Sequence, residues 1–383
     1  MGTTEWETTT AWGELVDLLG ALDQRFLSGS NAVADERSVA DGYRMIATGL
    51  GVALDAYLYA DPTRPSFVDI NTPFRRDRRW GGDNTDAYYA MAALDPTRTY
   101  RVSGQRGDSL YFSVTVYNEP SPGEWSNRII GIVNDSDLDI AEDGTFSFHL
   151  GPKRPDDVDG PFIELPDDAA VAVTRDYQVD PFTGRRVEWS IEALEPPGPI
   201  GSTDAGTAAA LGAARRWLET MFAILPLAVA PRADDETTLG HNSPQVANEF
   251  AEPYQVPDVS YGWSARDACY SFGSFRLADD EALVVTHRPP ACRFWNLTVW
   301  NPYMAGVGPG DARTSVNHGT AQPNADGTVT VVVAREQLGH PNAISTADLA
   351  AGNLAFRWFL PDAVPARPSV DLLKATEAPT TLS

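Results

Sequence analysis

The sequence predicts a mainly β protein: two tandem, duplicated antiparallel β-sandwich domains of jelly-roll-like character, with an N-terminal helical hairpin and a bridging helix. Three observations carry this. The run Arg293-Phe294-Trp295-Asn296-Leu297-Thr298-Val299-Trp300-Asn301-Pro302 restates Tyr111–Pro120 at a fixed offset, since 301 − 118 = 183 for the matched asparagines. The same offset pairs Val133-Asn134 with Val316-Asn317 and Asp143-Gly144-Thr145 with Asp326-Gly327-Thr328, which marks an internal duplication. From about residue 65 onward, short alternating runs separated by Gly, Pro, Asp and Asn replace helical periodicity.

The helices come first. Leu15, Leu18, Leu19, Leu22 and Phe26 form one helical stripe within residues 12–28. Ile46, Leu50, Leu54 and Tyr57 form a second within 35–59, closed by Asp61-Pro62, where a helix cannot continue. No charge lies on the apolar side of either, so this hairpin, residues 1–62, is read as structural and placed on the first β-domain.

The first sandwich, residues 63–195, has strand candidates at 66–70, 86–93, 99–103, 110–118, 128–133, 144–150, 170–177 and 185–193. Glu195-Pro196-Pro197-Gly198-Pro199 is a stiff linker. A helix over 203–225 follows, with Leu211, Ala214, Trp217, Leu218 and Met221 on its apolar face, ending at Pro226. The rest of 196–258 reads as a long loop carrying Asp234-Asp235-Glu236 and His241-Asn242-Ser243. The second sandwich, 259–370, has candidates at 267–276, 282–287, 293–301, 313–317, 327–334 and 353–360, and 371–383 is a loosely held tail. The duplication carries through: Asp86-Ala87-Tyr88-Tyr89 matches Asp267-Ala268-Cys269-Tyr270 at 181, and the last strands, Val171–Tyr177 and Leu354–Leu360, are aligned at 183.

Alternation fixes the faces of the repeated strand. Phe112, Val114 and Val116, with Trp295, Leu297 and Val299, form the core face. The opposite face, Tyr111, Ser113, Thr115 and Tyr117 with Phe294, Asn296, Thr298 and Trp300, is aromatic and hydrogen-bonding at once. It suits either a ligand or an inter-domain contact.

Composition narrows the partners. The 383 residues suffice for two domains with sizeable cores, and the net charge of −24 disfavours nucleic acid and anionic membrane surfaces. The N-terminus has no secretory pattern and no apolar run approaches a membrane span, which points to the cytoplasm. Cys269 and Cys292 are the only cysteines and are expected as free thiols.

Gly81-Gly82-Asp83-Asn84-Thr85-Asp86-Ala87-Tyr88-Tyr89 ahead of Leu94-Asp95-Pro96, the run Arg293–Asn301, His340-Pro341-Asn342 and Phe356-Arg357-Trp358 resemble the bacterial "domain of unknown function 1214" family. The similarity is strongest to a long actinobacterial branch with helices in front, and it covers most of residues 12–370. The resemblance implies tandem jelly-roll sandwiches similar in arrangement to peptide N-glycosidase; it implies no activity, because fold alone does not assign one. Where that branch carries Asn-Trp-Leu-Asp after His340-Pro341, this chain has Asn342-Ala343-Ile344-Ser345-Thr346, which removes a tryptophan from that loop.

The chemistry-bearing residues are sparse. His149, His241, His287, His318 and His340 show no local ligand spacing, so the sequence calls for no metal and no cofactor. No nucleophile elbow, phosphate loop or dinucleotide fingerprint is present. Asp86 and Asp267, equivalent by duplication, are the candidate carboxylates, with the alternative that they fix turns ahead of a strand. Asp83 and Glu119 are placed near the first of them. His287 and His318, which replace Gly104 and Asp135 of the first copy, are candidate proton carriers. Arg78, beside Arg79 and Trp80, is a candidate clamp for an anion, with a solvated loop as the default.

Two functions follow as expectations. One is an enzyme acting on a small molecule or glycoconjugate in a groove between the sandwiches, through Asp86, Asp267, His287 and His318. The other is a non-catalytic binder of a hydrophobic or sugar-like ligand, using Tyr111, Tyr117, Phe294, Trp300, Asn301 and Arg78. A structural protein-interaction module is the third reading.

Overall fold

The computed structural model describes residues 6–29, 32–156, 158–230, 244–259, 262–308 and 313–383. Asp234–Glu236 and His241–Ser243, singled out in the long loop, lie outside them.

The chain opens with α1 (Glu7–Ala21), a single turn α2 (Gln24–Leu27) and α3 (Glu36–Ala53), which runs on into a π-helical turn, Leu54–Leu58. The Asp35 carboxylate accepts from Ser38 N at 2.8 Å, satisfying an amide that the first turn of α3 leaves open. The first sandwich follows: β1 (Val68–Asn71), β2 (Ala87–Ala93), β3 (Tyr100–Gln105), β4 (Tyr111–Asn118), β5 (Ile129–Asn134), β6 (Thr145–Gly151), β7 (Phe162–Glu164), β8 (Ala169–Tyr177) and β9 (Glu188–Ala193). The bridging helix α4 (Asp204–Phe222) leads to the second: β10 (Glu249–Phe250), β11 (Tyr254–Gln255), β12 (Ala268–Arg276), β13 (Glu281–His287), β14 (Phe294–Trp300), β15 (Ser315–Asn317), β16 (Val329–Ala334), β17 (Ala343–Ser345), β18 (Ala351–Phe359) and β19 (Ser369–Lys374).

The duplication is complete at the level of topology. One sheet of the first sandwich runs β1-β2-β8-β4-β5, and its counterpart runs β10-β12-β18-β14-β15, with β11 also on β12. The other sheets run β7-β6-β3-β9 and β17-β16-β13-β19. Pairing is antiparallel except for the short outer strands, β7 on β6 and β17 on β16. Val114 and Val116 enter the core of the first sandwich; Trp295, Leu297 and Val299 enter that of the second.

Three expectations change. Residues 371–374, placed in the loosely held tail, complete β19 (Ser369–Lys374) on β13, with Val370 packed against the second core. The helical hairpin packs mainly on α4 rather than on the first β-domain: Asp204 at the start of α4 accepts from Glu7 N and Thr8 N at 2.9 and 3.1 Å, and Gly49 of α3 lies against Met221. The last strands align one residue off the predicted register. Tyr117 pairs with Val171 and Trp300 with Asn353, so the offset is 300 − 117 = 183 on the central strand but 353 − 171 = 182 on the last. The stretch ahead of β18 is one residue shorter than the stretch ahead of β8.

The two sandwiches meet through their duplicated sheets. Tyr111 stacks on Phe359 at 4.8 Å and Tyr177 lies 4.4 Å from it, centroid to centroid, within one continuous core that also takes in Trp217, Leu218 and Met221 of α4. Cys269 is buried, Cys292 is partly buried, and neither is bonded to the other.

Candidate functional site

The mixed aromatic and polar face of each duplicated sheet is the inter-domain surface, and a cavity of about 260 Å³ remains inside it. The first sheet contributes Tyr89 from β2 with Val173, Arg175 and Tyr177 from β8. The second contributes Tyr270 and Phe272 from β12, Trp300 from β14, Arg357 from β18 and Tyr254 from β11. Trp80, Trp125 and Trp263 enter from loops, and Trp217 from α4. Trp80 is the hub of these indoles, with Trp217 at 5.0 Å, Trp263 at 5.8 Å and Trp125 at 6.5 Å, all edge-on.

Strand geometry explains why both copies supply the same residues. Side chains two apart share a face, so Arg175 and Tyr177 look the same way from β8, as do Arg357 and Phe359 from β18. The corrected register makes Arg175 equivalent to Arg357, 357 − 175 = 182, and Tyr89 is equivalent to Tyr270, 270 − 89 = 181. All four line the cavity.

The two arginines are 3% and 4% exposed. Arg175 donates to Thr115 Oγ1 at 2.9 Å, to the Tyr117 hydroxyl at 2.7 Å and to the carbonyl of Trp263 at 2.7 Å. Arg357 donates to Thr298 Oγ1 at 3.3 Å and to the Gly82 carbonyl, and its guanidinium lies 4.9 Å from the Trp300 ring. Every one of these partners is neutral, and among the described residues neither arginine forms an ion pair. Burial pushes the Tyr89 phenol up to about 12, so it stays a neutral donor, held at 2.8 Å from the Tyr177 hydroxyl. Asp83 is the carboxylate in the lining; the buried Arg79 and Gly306 N engage it.

Of the residues singled out in the sequence, Trp300 lines the cavity, its Nε1 donating to Asp83 O at 2.8 Å. Tyr117 stands behind Arg175 and donates to Ser264 O. Tyr111 donates to Asp267 Oδ2, and Phe294 packs on Tyr177 at 5.1 Å. Asn301 closes a turn, its Oδ1 accepting from Tyr303 N and Ala305 N. Arg78 is tied to Asp55 at 2.7 Å and to the Asp69 carbonyl, away from the cavity. Its neighbours Arg79 and Trp80 are buried rather than solvated, because Arg79 pairs with Asp83 and Trp80 Nε1 donates to Ile70 O.

The four candidate catalytic residues do not come together on this cavity. Asp86 is buried between the domains, accepting from Asn296 Nδ2 at 2.8 Å and Ser315 Oγ at 2.9 Å, while Asn84 and Asn296 exchange amide hydrogen bonds beside it. Asp267, its equivalent, is pushed up to about 7 by burial, and its Oδ1 has no hydrogen-bond partner among the described residues. His287 is wedged between Trp295 and Phe356 at 4.5 and 4.6 Å, and burial lowers it to about 3. His318 is exposed on the turn after β15. Glu119 accepts from the Tyr57 hydroxyl at 2.6 Å and does not meet Asp86. No group of three or more His, Cys, Asp or Glu among the described residues is placed to hold a metal ion, and no described helix is long and apolar enough to cross a membrane.

Arg175, Arg357, Tyr89, Tyr270, Trp125 and Trp263 were not singled out in the sequence as site residues, while Trp80 was named only beside the Arg78 clamp and Trp217 only on the face of the bridging helix. The signal for the first four was present as identical residues at offsets of 181 and 182; the tryptophans come from separate segments and leave no local pattern.

Comparison with known proteins places this architecture. The model for a protein family of unknown function, DUF1214, matches residues 85–181 and again 277–363, one match in each sandwich. A crystal structure of a putative uncharacterized protein from Burkholderia cenocepacia is similar over 96% of this chain and 98% of its own, with 24% identity and a TM-score of 0.84. The VPA0106 protein from Vibrio parahaemolyticus aligns over 94% of this chain and 100% of its own, with 12% identity and a TM-score of 0.47. No curated protein matches the chain.

Proposed function

Both sandwiches of this chain match the DUF1214 family, and from that premise we propose that the protein binds a small molecule with an aromatic or apolar body in the cavity between its two copies of the fold. The observation that carries the reading is the cavity itself, walled by equivalent residues of both copies and by five indoles. An apolar cavity of about 150 Å³ accommodates a benzene ring. The 260 Å³ here takes a ring with several further heavy atoms. Flat aromatic walls with a few convergent donors are the usual make-up of a small-molecule site.

Binding is favoured over the carboxylate and histidine catalysis expected from the sequence. No histidine or cysteine is in the described lining, and Asp83, its carboxylate, is held by Arg79. General acid and base catalysis needs its groups within hydrogen-bond reach of one bound molecule. The cytoplasmic setting remains part of this proposal; two unbonded cysteines suit a reducing compartment.

Calorimetric titration of indole tests the reading, with Val173→Phe as the blocked variant, since Val173 lies on the cavity wall. Saturable binding by the natural chain, lost in a Val173→Phe protein with an unchanged circular dichroism spectrum, is the expected result. Absence of binding to the natural chain, or equal binding to both, overturns it.

A further inference from the structure

Resting on that reading of the cavity, we propose that its ligand is an anion: a small oxyanion group on an aromatic body, the oxyanion held between Arg175 and Arg357. The argument begins with what a buried guanidinium requires. Removing a charge from water is costly unless it is paired, and buried arginine is ordinarily found with a carboxylate or phosphate. These two arginines are almost wholly buried, and their partners are two threonine hydroxyls, a phenol and main-chain carbonyls. Groups of that kind can be satisfied by a neutral amide donor, so cross-linking the domains does not call for a charge. The charge nevertheless stands at the same place in both copies, on the wall of the same cavity.

Donor count points the same way. A guanidinium carries five N–H donors in a fixed fork. On Arg175, Nη1 makes one bond and Nη2 two, none of the three from Nε. On Arg357 the bonds likewise leave from Nη1 and Nη2. Both Nε–H groups remain available to a ligand among the described residues. The other lining groups are aromatic or neutral, apart from the Asp83 carboxylate that Arg79 and Gly306 occupy, so one anion entering here meets two cations without a free competitor. The indoles and tyrosines supply faces for a ring attached to it.

A carboxylate and a phosphate share this chemistry, and a matched set separates them: 3-phenylpropionate, phenyl phosphate and the neutral 3-phenylpropionamide, titrated calorimetrically into the full chain. The expected result is that at least one anion binds more tightly than the amide by about tenfold or more, the scale of a charge-assisted contact. The tighter of the two anions identifies the head group. Arg175→Gln and Arg357→Gln keep a donor for the carbonyls and remove the charge; in each, the ratio falls toward one while amide binding persists. Equal affinity of anions and amide for the natural chain overturns the anion inference and leaves the aromatic cavity standing if indole still binds. Failure of indole and of all three compounds to bind overturns both. Should the glutamine variants not fold, Arg175→Lys and Arg357→Lys keep the charge but lose the planar fork. Unaltered selectivity in folded glutamine variants also overturns the inference.

Discussion

Arg175 of β8 and Arg357 of β18 hold the same position in two copies of one strand, and each donates across the domain boundary to the loop that leads into the neighbouring strand of the other sandwich, β12 for Arg175 and β2 for Arg357. The acceptors, Trp263 O and Gly82 O, are themselves related by 263 − 82 = 181, the offset of the strands they precede. The adjacent hydrogen bonds repeat the relation: Tyr117 donates to Ser264 O and Trp300 Nε1 to Asp83 O. Duplication has therefore produced an interface with approximate two-fold symmetry, and the cavity straddles it. Residues from the two copies converge there because the same side of the same sheet faces inward twice.

These reciprocal contacts predict a stability effect. Tyr117→Phe removes the hydroxyl that accepts from Arg175 and donates to Ser264 O, taking two hydrogen bonds from a buried interface. The loss is about 1–3 kcal/mol. Chemical denaturation of Tyr117→Phe and of Trp300→Phe, which removes the equivalent bond to Asp83 O, measures it. Midpoints unchanged from the natural chain in both would show that the symmetry contributes no cohesion.

Asp267 predicts a pH dependence that runs opposite to that of a salt-bridged carboxylate. Burial raises it to about 7 from an ordinary 3.8, so the folded chain holds a proton that the unfolded chain releases. Its contribution is fully present below about pH 4 and is lost as pH rises through 7, a span worth on the order of 4 kcal/mol. Asp267→Asn keeps an acceptor for the Tyr111 hydroxyl and abolishes the ionisation. The variant is expected to melt higher than the natural chain at pH 8 and nearly with it at pH 4. Parallel melting curves at both values refute this account.

His287 predicts the opposite slope. Packed against Trp295 and Phe356, it is lowered to about 3, so the unfolded chain binds a proton that the folded chain refuses. Stability is complete above about pH 6.5 and falls with decreasing pH, by about 2 kcal/mol at pH 5. His287→Phe retains an aromatic ring in the same core. The difference in unfolding free energy between the variant and the natural chain should grow in the variant's favour from pH 7 to pH 5; a constant difference contradicts it.

The fold was legible because its signals are local. Alternation in 110–118 and 293–301 set the two faces, and a constant offset in the loops between strands exposed the duplication. The site was less so. Aligned at 183, Arg357 faces Thr174 and the paired arginines vanish; strand pairing gives 182 and restores them. Asp86 and Asp267 were visible as a repeated pair, but a repeat cannot say whether a carboxylate faces solvent, a ligand or the partner domain. Asp86 faces Asn296 and Ser315 of the other sandwich. His287 shows the same gap: strand parity does not reveal that Trp295 and Phe356 enclose its ring. Trp80, Trp125, Trp217 and Trp263 meet only through tertiary packing, which no window of sequence contains.

Helical glycines provide a last test, one that separates packing from propensity. A Cβ on Gly42 of α3 would lie 2.6 Å from the Tyr303 hydroxyl and 2.8 Å from the Phe26 ring. Neither can retreat easily: Tyr303 donates to Ser38 O one turn earlier at 2.8 Å, and the Phe26 ring is held edge-on between Tyr43 and Tyr303. Overpacking of this kind costs about 1–3 kcal/mol, more than the helix propensity gained. Gly212 of α4, apart from its neighbours and its own helix backbone, meets no described atom within 4 Å of the same added carbon. There the propensity term stands alone, and Gly212→Ala gains up to about 1 kcal/mol. Denaturant midpoints of the two variants should therefore move in opposite directions. A rise for Gly42→Ala would mean that α3 does not sit as tightly on Phe26 and Tyr303 as these distances require.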